Sequence, residues 1–349
     1  MNPNTGTNLF DSVAVGLQAD ANPVKCVSYL DATSCTLQGT RTIKQYETLG
    51  NGRKITKSGV GPHTVGGDIA FNFTPDKVSQ ILYAILGRLD GNTSTAAPIT
   101  HVLRPSNIEG QPALRPLTVE VRRGDSYFVY PNCYAERLVL RPSEEDDLTA
   151  TVTLAGLALE RVYDAPQVDP ACAASSLMPF AFHGATVKQC AYGEVLAETE
   201  LTSGWNLEIS TGFASRRQLG NGLVAGKGRP GRSRVRGSFD LIFESDAELK
   251  RWMGDSSTVY PKSPGTHRRY LAMQIAYTHA DTNATLTIDV PRALYEGEAT
   301  PATESAEGFL IQPLQFVTEW DSVMDCDVKL TLVNSETNAV ITKAGTKIA

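Results

Sequence analysis

The side chains most able to do chemistry cluster in one stretch. Seven basic residues fall between positions 216 and 236: Arg216, Arg217, Lys227, Arg229, Arg232, Arg234 and Arg236. Guanidinium groups at this density can clamp phosphate or dock on an acidic protein surface. The run contains "GLVAGKG" (222–228), which looks like a phosphate loop. Its glycine spacing is wrong for one, and Gly228 stands where Ser or Thr should hold magnesium. No aromatics interleave with the arginines, as a stacking platform for single strands requires. The charge balance also argues against a nucleic-acid binder. Across 349 residues, 32 Lys and Arg face 38 Asp and Glu. Residues 1–165 carry 15 basic and 17 acidic groups, and residues 166–349 carry 17 and 21. With the basic run set aside, the rest of the second half must be clearly acidic.

Other chemistry finds no support. GxSxG, HExxH and GxGxxG fingerprints are absent. The five histidines (His63, His101, His183, His267, His279) are dispersed. The carboxylates at Glu144–Asp147 and at Asp321, Asp325 and Asp327 lack calcium-loop spacing and read as solvated turns. The six cysteines include no CxxC and are expected to be small buried thiols. Trp205, Trp252 and Trp320 are expected to anchor cores. No catalytic residue, metal or cofactor is therefore expected. No stretch of about 20 apolar residues exists to cross a membrane. The start, "MNPNTGTNLFDSVAVG", lacks the basic and long apolar regions of a secretory signal.

The elements around the basic run occur twice. "LGNG" stands at 49–52 and again at 219–222. With a shift of 170 and no gap, 49–76 matches 219–246 at ten of 28 positions. Average composition would give roughly two. Leu37 and Leu207 keep the register upstream. In each copy an alternating apolar run follows: Val65, Gly67, Ile69, Phe71 and Phe73, then Val235, Gly237, Phe239, Leu241 and Phe243. That period predicts half-buried strands. A helix is predicted after each. Thr74 should cap the first, with Pro75 at its first position, Val78, Ile81, Leu82 and Ile85 on its buried face, and Gly87 as its stop. Ser245 and Glu248 form a capping box for the second, which buries Leu249 and Trp252. It should be shorter and start about one residue later.

Further strands are predicted at 116–123, 137–142, 148–159, 270–277, 284–290, 308–320 and 327–334. The fold class expected is mainly β: two tandem β-sandwich or barrel modules, each with one flanking α-helix. The boundaries are 1–165 and 166–349, joined by the Pro-rich 164–179. Phe71, Phe73, Ile81, Leu82, Phe239, Phe243 and Trp252 are the expected core and helix residues.

The loops 50–64 and 220–234 are long for connections inside a compact domain. Asn51, Arg53, Lys54 and Lys57 lie in the first. Asn221, Lys227, Arg229, Arg232, Arg234 and Arg236 lie in or beside the second. These are candidates for arms that dock on an acidic partner, including another copy of the chain.

At this point the residues resemble a family. "NGRKITKSGVGP" followed by "VGGDIAFNFTPDKVSQILYAILG" (65–87) is similar to the signature of tailed-phage tail tube proteins. "LRPLTVEV", "YPNCYAERLVLRPSEEDDLTATVTLAGLALE" and "VRGSFDLIFESDAELKRWM" fit it too, over roughly residues 25–335. In the second half Arg236 and Ser238 depart from the Gly-Asp pattern. The resemblance implies small β-barrels or sandwiches with a flanking helix, whose inner strands join edge to edge around a channel. Rings stack, long loops and arms bridge them, and an acidic channel passes DNA without specific binding. A tandem chain would form trimeric rings with pseudo-sixfold symmetry. Implied partners are the chain itself, other tail proteins at the two tube ends, and phage DNA in transit, with no membrane. The implied place is the virion tail, assembled in the host cytoplasm, and the implied tail is non-contractile. A two-domain immunoglobulin-like decoration or adhesion protein is the competing class, and would lack the strand–helix repeat. A hydrolase with a spatially assembled His/Asp site has no motif in its favour.

Overall fold

Alternating apolar side chains give the strands their buried face, and that alternation governs the chain in the computed structural model. It describes residues 11–19, 22–47, 54–55, 57–90, 97–106, 114–142, 147–198, 202–220, 222–243, 245–252, 270–299, 302–303, 310–336, 341–342 and 344–348. The first half holds β1 (Ser12–Leu17), β2 (Ser28–Leu30), β3 (Ala32–Cys35), β4 (Gln38–Tyr46), β5 (Lys57–Asn72), α1 (Ser79–Leu86), β6 (Gly87–Asp90), β7 (Ile99–Pro105), β8 (Leu117–Arg123), β9 (Ser126–Pro142), β10 (Leu148–Gly156) and β11 (Arg161–Tyr163). The second holds β12 (Ala185–Ala191), β13 (Ala197–Glu198), β14 (Thr202–Ser210), β15 (Ala214–Arg216), β16 (Lys227–Arg229), β17 (Arg234–Ile242), α2 (Ala247–Trp252), β18 (Leu271–Thr278), β19 (Thr285–Glu296), β20 (Ala302–Thr303), β21 (Leu310–Thr318) and β22 (Lys329–Asn334). The chain is mainly β, as its periodicity predicts.

One sheet order occurs twice. In the first half antiparallel pairing runs β1–β8–β9–β10–β5–β4. In the second it runs β12–β18–β19–β21–β17–β14. Each order places the repeated strand, β5 or β17, fifth, and a helix follows it. The late strands β11 and β22 also correspond. Val162 faces Phe128 on β9, and Leu330 faces Ile288 on β19.

The repeated glycines have one physical cause. A Cβ on Gly67 would stand 2.6 Å from the Thr36 carbonyl oxygen and 2.6 Å from Leu37 Cα. A Cβ on Gly237 would stand 2.7 Å from the Asn206 carbonyl oxygen. Thr36 and Asn206 are themselves 170 apart. Only glycine lets the neighbouring backbone approach this closely.

The helices differ from expectation. α1 begins at Ser79, not at Thr74–Pro75, because Lys77 has a left-handed φ of 68° and breaks the turn before it. Thr74 Oγ1 bonds the Asp76 carbonyl instead of capping the helix. Gly87 does end α1, with φ 79° and its N–H on the Tyr83 carbonyl. All but Tyr83 of its residues are buried, so α1 is a plug under the sheet. α2 starts two residues earlier than α1 in the repeat register, not later. The Ser245 hydroxyl accepts the Ala247 N–H, whereas Glu248 turns to Tyr295 Oη and Arg251. Half-buried Leu249 and Trp252 pack on the core.

The halves share their sheet and their core. β14 pairs with β9, Leu207 facing Leu140 and Ser210 facing Arg137. β22 lies between β19 and β7, Leu330 facing Leu103. Phe180, just past the Pro-rich segment, is fully buried between Phe73 and Tyr277, with ring centroids at 6.2 and 6.1 Å. The C-terminal segment returns to the first half, where Lys25 N–H meets the Thr346 carbonyl at 2.6 Å and Gly345 N–H meets that of Leu17.

The close approaches predict that Gly67→Ala and Gly237→Ala each cost about 2 kcal/mol or more. Gly204→Ala, with nothing within 4 Å of a new Cβ, should be near neutral. Urea unfolding midpoints check this ordering.

Candidate assembly surface

The basic run and its first-half counterpart form the tips of two hairpins in one register. Lys44 faces Gly59, Gln45 faces Ser58 and Tyr46 faces Lys57. Ala214 faces Arg229, Ser215 faces Gly228 and Arg216 faces Lys227. Each pair of the second set lies 170 residues beyond its partner in the first. A bulge accompanies both. A Cβ on Gly61 would stand 2.4 Å from Thr42 Oγ1, and one on Gly231 would stand 2.4 Å from the Gly212 carbonyl oxygen. The repeated Gly61 and Gly231 accommodate the bulged neighbour across the hairpin.

The first hairpin is continuous through β4 and β5. The second bends between β14 and β15, where Gly212 has φ +59°, and the bend folds it onto the first half. Thr211 N–H donates to the Glu136 carbonyl at 2.9 Å, and its hydroxyl donates to that of Ala135 at 2.9 Å. The Phe213 ring stacks on Tyr134 at 4.7 Å and 12°. Gly228 lies against Phe213 and Leu157, with no room for a side chain. His63 N–H meets the Leu223 carbonyl at 3.0 Å, and the Arg217 guanidinium bonds both the Leu223 and His63 carbonyls. His63 Nε2 lies 2.6 Å from Glu160 Oε2. Burial pushes the Glu136 carboxyl above the usual range.

The arm candidates separate accordingly. Lys54, Lys57, Lys227, Arg229, Arg232, Arg234 and Arg236 are exposed. Arg236 comes within 3.8 Å of Glu296. Asn51, Arg53 and Asn221 lie outside the described residues. Phe71, Phe73, Ile81, Leu82 and Phe239 are buried, whereas Phe243 sits half-buried at the end of β17. Arg217 acts as a clip between hairpin and first half, a role its place in a charge run does not reveal. Nor did any periodicity mark Phe213.

Among the described residues no group of three or more His, Cys, Asp or Glu is placed to hold a metal. All six cysteines are unpaired thiols, and burial pushes Cys133 up to about 12 and Cys326 up to about 11. Such thiols stay protonated and unreactive. No described helix is long and apolar enough to cross a membrane.

A family model described as phage tail tube protein matches residues 7–317, through both halves and both hairpins. The chain belongs to the phage tail tube proteins. A search of curated proteins finds no match to it. Membership makes the chain a structural component of a virion tail, which self-assembles into a tube and meets other tail proteins. Within the chain the second hairpin is already seated on the first half.

Phe213→Ala removes the stacked contact with Tyr134. It should cost about 3 kcal/mol of local stability. Trypsin should then cut at Arg216, Arg217 and Lys227 several-fold faster than in the unaltered protein, while cleavage elsewhere is unchanged.

Proposed function

We propose that the chain is the major tail tube subunit of a non-contractile phage tail. Residues 1–165 and 166–349 act as two tube modules, so three chains close a ring with pseudo-sixfold symmetry. Rings stack into a channel for DNA ejection, and the chain performs no catalysis. The observation that carries this reading is the sheet order found twice in one chain, with the two copies joined edge to edge.

The electrostatics agree with a conduit. The chain carries a net charge of −6, so a lumen lined by its carboxylates repels phosphate. At physiological salt that repulsion acts over about 8 Å, enough to keep a passing duplex from adhering. Seven of the second half's 17 basic groups fall within residues 216–236 of its hairpin. Lys54, Lys57, Lys227, Arg229, Arg232 and Arg234 are exposed in the two hairpins and are the proposed contacts to an acidic face of the next ring. Asn51, Arg53 and Asn221 belong to the same proposed arms.

The purified chain should form rings or hollow filaments by negative-stain microscopy. A protein that stays monomeric at every concentration would contradict the reading. Reversing Arg229, Arg232 and Arg234 to Glu should leave rings but abolish long tubes. Tubes of normal length would remove the inter-ring role from this arm.

A further inference from the structure

The joint between the halves covers the second half's edges and leaves their first-half counterparts bare. Phe213, 8% exposed, is covered by Tyr134 of the first half. Its counterpart 170 residues earlier is Ile43, which is 66% exposed. Leu330 on β22 is fully buried against β7 of the first half. Its counterpart on β11 is Val162, 56% exposed. Among the described residues no strand pairs with the outer edge of β4 or of β11. Unpaired edges with exposed apolar side chains are templates for another chain.

We propose that the outer edge of β4 is the seat of a second copy of this chain, taken at the end of that copy's β19, in the arrangement that β14 already makes on β9. The inference rests on self-assembly and specifies which surfaces meet. The internal joint sets the register. Within the chain, Ser210 faces Arg137, and Arg137 faces Thr153 on β10. Leu154 faces Gly67 and Phe316 faces Gly237, so Thr153 corresponds to Gln315, whose partner on β19 is Glu296. Ser210 corresponds to Thr40. Thr40 of one copy therefore lies opposite Glu296 of the other.

The same correspondence carries the stacked contact across. Tyr134 faces Ala155 on β10, and Leu294 faces Val317 on β21. Ile43 then packs on Leu294, as Phe213 packs on Tyr134. On this register Arg41 of β4 lies next to the pair Thr40–Glu296, and Glu296 also has Arg236 of its own chain within 3.8 Å. The two surfaces differ, so the contact is head-to-tail and each added copy exposes a new seat. Such a contact closes into a ring or winds into a filament.

Hydrogen exchange on the unaltered full chain tests the seat without a mutation. Amides of β4 should exchange at least 10-fold more slowly in assemblies than in monomer. A Thr40→Cys, Glu296→Cys double variant should, on mild oxidation, give a ladder of covalent multimers that neither single variant gives. Residues paired across a ladder lie within disulfide reach. Tubes whose β4 amides exchange as in the monomer, with no ladder, would overturn this joint while leaving the tube role standing. A chain that never associates would overturn both.

Discussion

A strand edge carries unpaired N–H and C=O groups, and they must find partners or face water. That constraint organises this molecule. Among the described residues the strand pairing of neither half closes on itself. The second half satisfies two of its edges on the first, through β14 on β9 and β22 on β7. A joint between two similar halves of one chain forms without the entropic cost of association, and on the proposed reading it is one of the assembly joints. The linker and the C-terminal segment reinforce the joint. Phe180 spans the cores of both halves, and residues 344–348 lie along the first half's β1 and the stretch that follows it.

The internal joint also explains why two hairpins of one register behave differently. The second bends at Gly212, seats Phe213 and is clipped by Arg217. Its backbone is held, and its exposed basic side chains project from a fixed base. The first has the same cross-strand pairs and meets the second half through His63 on β5, but no described strand pairs with the outer edge of β4. Its exposed Ile43 is the side chain that a seated hairpin would cover, as Phe213 is covered in the second. Both hairpins need their glycines for backbone clearance, at Gly61 and Gly231 in the bulge and at Gly67 and Gly237 beneath it.

Much of this was legible in the residues. The shift of 170 found by identity is the shift of the observed pairing, from Lys44–Gly59 to Ala214–Arg229. Alternation located β8, β10, β17, β18 and the later part of β5, because side chains on one face meet one core, whereas residues 57–64, read as loop, are the first part of β5. Long strands were harder. β9 runs from Ser126 through Pro131 and Asn132, and the left-handed φ of 54° at Asn132 does not end the strand. The start of α1 was missed because the left-handed backbone at Lys77 has no signature in residue type. The partner of an edge was not legible at all. Alternation says which face is buried, whereas β14 on β9 depends on how two finished sheets meet.

In the proposed assembly one strand joint, made once inside the chain, is made again between chains. A reconstruction of the assembled tube at side-chain resolution tests it most directly. Six like joints are expected around each ring, three within chains at β14–β9 and three between chains at β4–β19. Six chains per ring, or between-chain contacts unlike the internal joint, would contradict it.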